Sequence, residues 1–192
     1  MEMERKNLDC RLEIKAVDEE AMTFEGYGAV FGNMDSTGDV ILKGAFAETL
    51  AEAKTTGEWP ALLAQHGGWE AASNMPLGAW MEMREDDHGL FVVGKFADTP
   101  RGQEAYTLLK MKPRPAITGL SIGYTPIEWE NRSKPEDPRR KLKKVKLWEV
   151  SLVTFPANPK ARVLAVKSGN VAEMEEELAA IFRRNIKLLK GV

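Results

Sequence analysis

The 192-residue chain has one cysteine, Cys10, and two histidines, His66 and His88. A single thiol excludes an internal disulfide and fits a reducing compartment. Cys10 lies in a strand-like context and reads as a small core residue. One cysteine and two histidines 22 positions apart do not make a credible metal site. No phosphate loop of G-x-x-x-x-G-K type is present, and no cofactor is expected. No apolar run approaches the roughly 20 residues needed to span a bilayer. The opening "MEMERKNLDCRLEIK" has no apolar segment of signal-peptide type, so secretion is not expected. The net charge of −2 is too small to point to a nucleic-acid or membrane partner. Any mechanism that needs an imidazole must use His66 or His88.

What is present is an ordinary globular composition, 43% hydrophobic and 29% charged, with alternating patterns. Residues 8–18 alternate as a strand does, and 21–32 form a second, bent strand rich in aromatics and glycine. Residues 33–41, "NMDSTGDVI", read as a loop. Phe46, Leu50 and Ala53 have helical spacing within 44–57, and Gly57 supplies a stop. A short apolar run ends on His66. Two strands flank "DDHG" (86–89) as a hairpin. Thr99-Pro100 starts a second helix, which Pro113 and Pro115 end. Residues 116–130 and 142–155 read as strands around a polar loop, and 161–167 as a last extended piece. Residues 171–190 are acidic first and basic last, with an apolar face, and read as an amphipathic helix. The division is a body at 8–167 and a linker with C-terminal helix at 168–192. Several short strands and two helices fit a β-rich α+β domain or a β-barrel flanked by helices.

"GLSIG" (119–123) matches G-x-S-x-G, the nucleophile elbow of many esterases. An elbow needs a helix after the serine, and Pro126 and the β-branched residues oppose one. It also needs a histidine after the serine, and none follows Ser121. The stretch therefore reads as a strand with Ile117, Gly119, Ser121 and Gly123 on one face. Such a bare face accepts a close neighbour: either a peptide substrate, or simply another part of the chain. In "VKLWEVSLV", Val145, Leu147, Glu149, Ser151 and Val153 would share one face of a regular strand, with Glu149 a carboxylate in an apolar row. It is either partnered or solvated at an edge. His66, before Gly67-Gly68, reads as a capping histidine or as an imidazole at a strand end, and His88 as a turn residue. "MDSTGD" lacks the D-T/S-G spacing of aspartic proteases and has no second copy. The basic stretch 132–146 lacks interleaved aromatics, so nucleic acid is not an expected partner.

Three segments in order, "LLAQHGG", "ITGLSIGY" and "LWEVSLVTFPANPKARV", resemble the prohead (capsid maturation) serine proteases of tailed bacteriophages. "FEGYGAVFGNMDSTGDVILKGAF" and "FADTPRGQEAYTLLK" are similar to further parts of that family. The resemblance covers residues 10–167. It implies a small β-barrel surrounded by helices, similar to the herpesvirus assembly proteases. It implies a serine endopeptidase inside an immature capsid in the host bacterial cytoplasm, acting on the major capsid protein, a scaffold segment and itself. By position, Ser121 is then the nucleophile, His66 the general base and Glu149 the third member, with His88 as the alternative because the herpesvirus relatives use a second histidine. Gly119 and Gly123 would line the bound peptide, in strand form. Arg162 or backbone N–H groups are candidates for the oxyanion site. Self-association is left open. The alternative function is a non-catalytic capsid-assembly module with the same fold.

Overall fold

The computed structural model describes residues 22–67 and 74–167. The strand expected at 8–18, Cys10 and the helix expected at 171–190 lie outside them. The described elements, in order, are β1 (Thr23–Val30), β2 (Asp39–Ile41), α1 (Ala47–Thr56), β3 (Ala61–Ala64), β4 (Gly78–Glu85), β5 (Gly89–Phe96), α2 (Pro100–Lys110), β6 (Gly119–Asn131), β7 (Arg140–Val153) and β8 (Val163–Lys167). Local signals hold where the chain's own chemistry decides. Gly57 takes φ 78° and its N–H closes α1 on the Ala53 carbonyl at 2.8 Å. Thr99 Oγ1 accepts from Gly102 N at 3.2 Å, with Pro100 in the first turn of α2. Asp86 Oδ1 takes the N–H groups of His88 (2.8 Å) and Gly89 (3.0 Å) in the β4–β5 turn.

The described residues form one eight-stranded sheet in the order β2-β7-β3-β4-β5-β1-β8, with β6 on the other edge of β7. β7 is the spine. β6 runs antiparallel along it, from Gly119 opposite Val153 to Asn131 opposite Arg140. The opposite edge carries two short parallel partners, β2 against Arg140–Leu142 and β3 against Glu149–Leu152. Between them the edge has no strand, and Thr49 of α1 takes its place. Its hydroxyl donates to the Val145 carbonyl (3.2 Å) and accepts from Leu147 N (3.1 Å), which satisfies backbone groups that burial would otherwise orphan. The core holds Phe24, Phe46, Leu62, Leu77, Met83, Leu90, Leu120, Val145, Val150 and Leu152. Phe24 stacks on Phe96 (4.9 Å) and meets Trp80 edge-on (5.8 Å).

The architecture is a strand-rich α/β sheet, and among the described residues it is open rather than a closed small barrel. Its ends meet at an isolated bridge, Gly119 with Arg162, flanked by Leu120 N to Ala161 O (3.1 Å) and Val163 N to Thr118 O (2.9 Å). The antiparallel register of that bridge would put Pro115 opposite Val166 in one direction and Pro159 opposite Ile122 in the other. Pro159 would there fall at a hydrogen-bonding position, and it has no N–H to extend the ladder.

The stretch read as a loop, 33–41, contains β2. Its first residue, Asp39, is wholly buried and receives Arg139 Nε (2.9 Å) and Nη2 (2.8 Å), and Arg140 Nη2 (2.5 Å). Burial alone would raise the Asp39 pKa, but the hydrogen bonds from Arg140 and Arg139 outweigh it and hold the carboxyl at about 2. A depressed carboxylate contributes stability that is present above its unfolded pKa near 4 and lost as pH falls toward 2. Asp39→Asn is therefore expected to lower the unfolding free energy at pH 7 by about 2 kcal/mol and to flatten its acid dependence in that window. Urea denaturation at pH 7, 4 and 3 checks both.

Candidate active site

In a regular strand Glu149 would follow Leu147 into the core. It does not, because the β6–β7 pairing slips between Gly123–Glu149 and Tyr124–Leu147, leaving Trp148 as an extra residue. A bulge of this kind inverts side-chain parity. Val145 and Leu147 face the core before it, and Val150 and Leu152 after it. The apolar row read from the sequence is thereby cut, and Glu149 and Ser151 turn to the other face. There Gly123 stands opposite Glu149 and Ser121 opposite Ser151. On the far edge, Leu63 of β3 stands opposite Ser151, so the end of β3 delivers the next residues beside the same group.

Those residues form a left-handed turn, with φ 51° at Gln65, 57° at His66 and 79° at Gly67. Side chains sit there at a cost of about 1–2 kcal/mol each, so the turn needs anchors. The Gln65 amide holds Thr154, Nε2 donating to Oγ1 (2.9 Å) and Oε1 accepting from Thr154 N (3.5 Å). The backbone N–H of His66 donates to Ser151 Oγ (3.1 Å). The imidazole Nδ1 lies 2.7 Å from Glu149 Oε1, and Ser151 Oγ donates to Glu149 Oε2 at 2.6 Å. Glu149, Ser121 and Ser151 are buried, whereas the His66 side chain is 47% exposed. The hydrogen bond that Nδ1 donates to Glu149 is the main cause that raises the His66 pKa above 6.5; burial opposes it and the carboxylate's charge adds to it. With Nδ1 engaged, Nε2 is the nitrogen left for a proton acceptor's work. Ser121 makes no hydrogen bond to His66 in this state.

Residues 10–177 match the family described as Caudovirus prohead serine protease. The chain belongs to that family. It is 34% identical over 169 residues to the prohead protease of Enterobacteria phage HK97, covering 88% of this chain and 70% of that one. Among solved structures, its fold is similar to that of the bacteriophage T4 capsid assembly protease, gp21 (TM-score 0.51, 11% identity, 71% of this chain and 84% of that). A KSHV protease in complex with a hexapeptide phosphonate inhibitor is also similar (TM-score 0.41, 14% identity, 75% of this chain and 64% of that). The chain is thus a member of the prohead proteases, which mature capsids.

The structure brings His66 and Glu149 of this prohead protease into contact and sets Ser121 on the neighbouring strand. It does not bring His88 to them. The His88 ring packs edge-on against Tyr27 at 4.5 Å, at the β4–β5 turn. Gly119 and Gly123 do not present a bare face. A Cβ on Gly123 would fall 2.3 Å from Glu149 Oε1, and one on Gly119 2.5 Å from the Val153 carbonyl and 2.8 Å from Pro156 Cδ. The space above both glycines is filled by the chain itself, so their lack of a side chain serves the carboxylate and the 153–156 turn. The Arg162 Nη1 donates to the Ala161 carbonyl at 2.9 Å. Among the described residues no group of three or more His, Cys, Asp or Glu could hold a metal, and no helix is long and apolar enough to cross a membrane. Ser151 was not singled out from the sequence. Its signal was its position two residues after Glu149.

Gly123→Ala places a methyl where Oε1 lies, and a glutamate tip swings away more cheaply than a strand shifts. The expected outcome is a melting temperature within a few degrees of wild type and cleavage slowed by about 100-fold, because a misplacement of about 1 Å costs that much. Thermal melts and cleavage rates on the same preparations check it.

Proposed function

We propose that the chain is a serine endopeptidase in which Ser121 is the nucleophile, His66 the general base and Glu149 the group that orients it. The observation that carries this reading is the 2.7 Å contact of His66 Nδ1 with Glu149, which leaves Nε2 to act as the base, with Ser121 on the strand paired with that of Glu149. Ser121 Oγ attacks the scissile carbonyl and passes its proton to Nε2. Glu149 stabilises the imidazolium, which then protonates the leaving amine. Water repeats the sequence on the acyl-enzyme. The substrates are the major capsid protein's scaffolding segment, any separate scaffold protein and the protease itself, inside the immature capsid. HK97 and T4 relatives named as prohead and capsid assembly proteases support that assignment.

The sign of the pH dependence follows from His66. Its pKa is raised in the folded chain, so the charged pair with Glu149 contributes stability below about 6.5 and that contribution is lost as pH rises through the raised value. The base must be neutral, so activity appears as that pair discharges. The acid limb of the pH–rate profile is expected to have its midpoint above 6.5. Glu149→Gln is expected to slow cleavage by at least about 100-fold while the fold is kept.

The direct test is coexpression with the capsid protein, with intact masses followed for wild type and Ser121→Ala. Discrete fragments in wild type alone support the proposal and map the cleavage sites. Fragments from both chains overturn the role of Ser121. Fragments from neither favour an assembly module with the same fold.

A further inference from the structure

Ser151 is completely buried, and its hydroxyl makes two hydrogen bonds within the site. Its proton goes to Glu149 Oε2 and a lone pair takes the N–H of His66. Three features give these bonds a purpose. First, Oε1 is turned to His66, so the buried Oε2 needs a donor of its own. A lysine or arginine there would share the negative charge that His66 uses, whereas a hydroxyl satisfies Oε2 and leaves the charge in place. Second, Gly123 opposite gives the glutamate side chain room but no wall to fix its rotation, so a tether is needed. Third, the β3–β7 ladder ends with Ala64 opposite Leu152, so the His66 N–H lies past the last pair and finds the Ser151 side chain instead. Among the described residues Glu149 is the charged group that acts on the His66 ring.

We infer that Ser151 is a positioning residue for proteolysis, one hydroxyl that locks the Glu149 carboxylate and the left-handed backbone of His66 in register with each other. The inference rests on the Ser121–His66–Glu149 reading. Ser151 itself touches neither substrate nor the reacting atoms; it acts through the other two.

The test uses the full chain as wild type, Ser151→Ala, Ser151→Thr and Ser121→Ala. Two readouts are taken: covalent labelling by a fluorophosphonate, split into maximal rate and half-saturating concentration, and the proton NMR titration of His66. With two histidines in the chain, a His88→Gln copy assigns the signals. Ser151→Ala is expected to lower the maximal labelling rate about 10–100-fold with half-saturation within about twofold of wild type. Its His66 midpoint is expected to fall back toward 6.5, since the raised value depends on the Glu149 bond. Ser151→Thr keeps the hydroxyl and should restore most of both. A wild-type rate and midpoint in Ser151→Ala would overturn the inference. So would a lost rate with an unmoved midpoint and no rescue by threonine, which is the pattern of a residue needed only for folding. If wild type and Ser121→Ala fail alike to label, the triad reading falls, while the His66 titration still decides whether Ser151 holds the pair.

Discussion

Trp148 has no partner on β6, and the parity inversion that follows from it sets the direction of every polar group beyond it on β7. Without the extra residue, Glu149 and Ser151 would continue the apolar row of Val145 and Leu147 into the core, where an ionised carboxylate is not tolerated without a partner. With it, Val150 and Leu152 take over the packing and the two polar side chains emerge together on the opposite face. The cross-strand register then fixes the rest. Glycine opposite Glu149 leaves the volume that the carboxylate fills, and Ser121 comes to stand opposite Ser151. Trp148 itself is left largely exposed, its indole N–H donating to Thr125 Oγ1 at 2.9 Å.

The same strand collects the second half of the site by its other edge. β3 is short and parallel, and it ends where the chain turns left-handed at Gln65, His66 and Gly67. Two non-glycine residues in that region are an unfavourable local choice, and the bonds that hold them come from β7 and the residue after it: Ser151 to the His66 backbone and Thr154 to the Gln65 amide. Local strain here is offset by tertiary hydrogen bonds, a common arrangement where a side chain must project from a sheet edge. The imidazole that results is half in water and half against a buried carboxylate, which raises its pKa and, among the described residues, leaves Nε2 without a hydrogen-bond partner.

Much of this was legible in the sequence, and the parts that were not share a cause. Alternation and turn residues locate β1 and β4 to β8, and the caps at Thr99 and Gly57 locate the helices, because these depend on residues close in sequence. The ordered segments around His66, Ser121 and Glu149 point to the family. β2 was not legible. Three residues, "DVI", become a strand only because Arg139 and Arg140, about 100 positions later, close on Asp39. The bulge at Trp148 was not legible either, since a period-2 reading assumes an unbroken strand, and this misplaced Glu149 in an apolar row. The open sheet likewise depends on where a long-range register sets Pro159, opposite Ile122 of β6. The glycines at 119 and 123 were visible as unusual, but what occupies the space above them is a matter of tertiary contact.

The central claim is that Ser121 is activated by an imidazole that Glu149 holds. Peptide mapping after fluorophosphonate treatment tests it in one experiment, comparing native with denatured chain. The account predicts a single phosphonylated residue, Ser121, in the native chain, and no adduct after denaturation or in Glu149→Gln over the same time. An adduct at another residue, or equal labelling of Ser121 in Glu149→Gln, would contradict it.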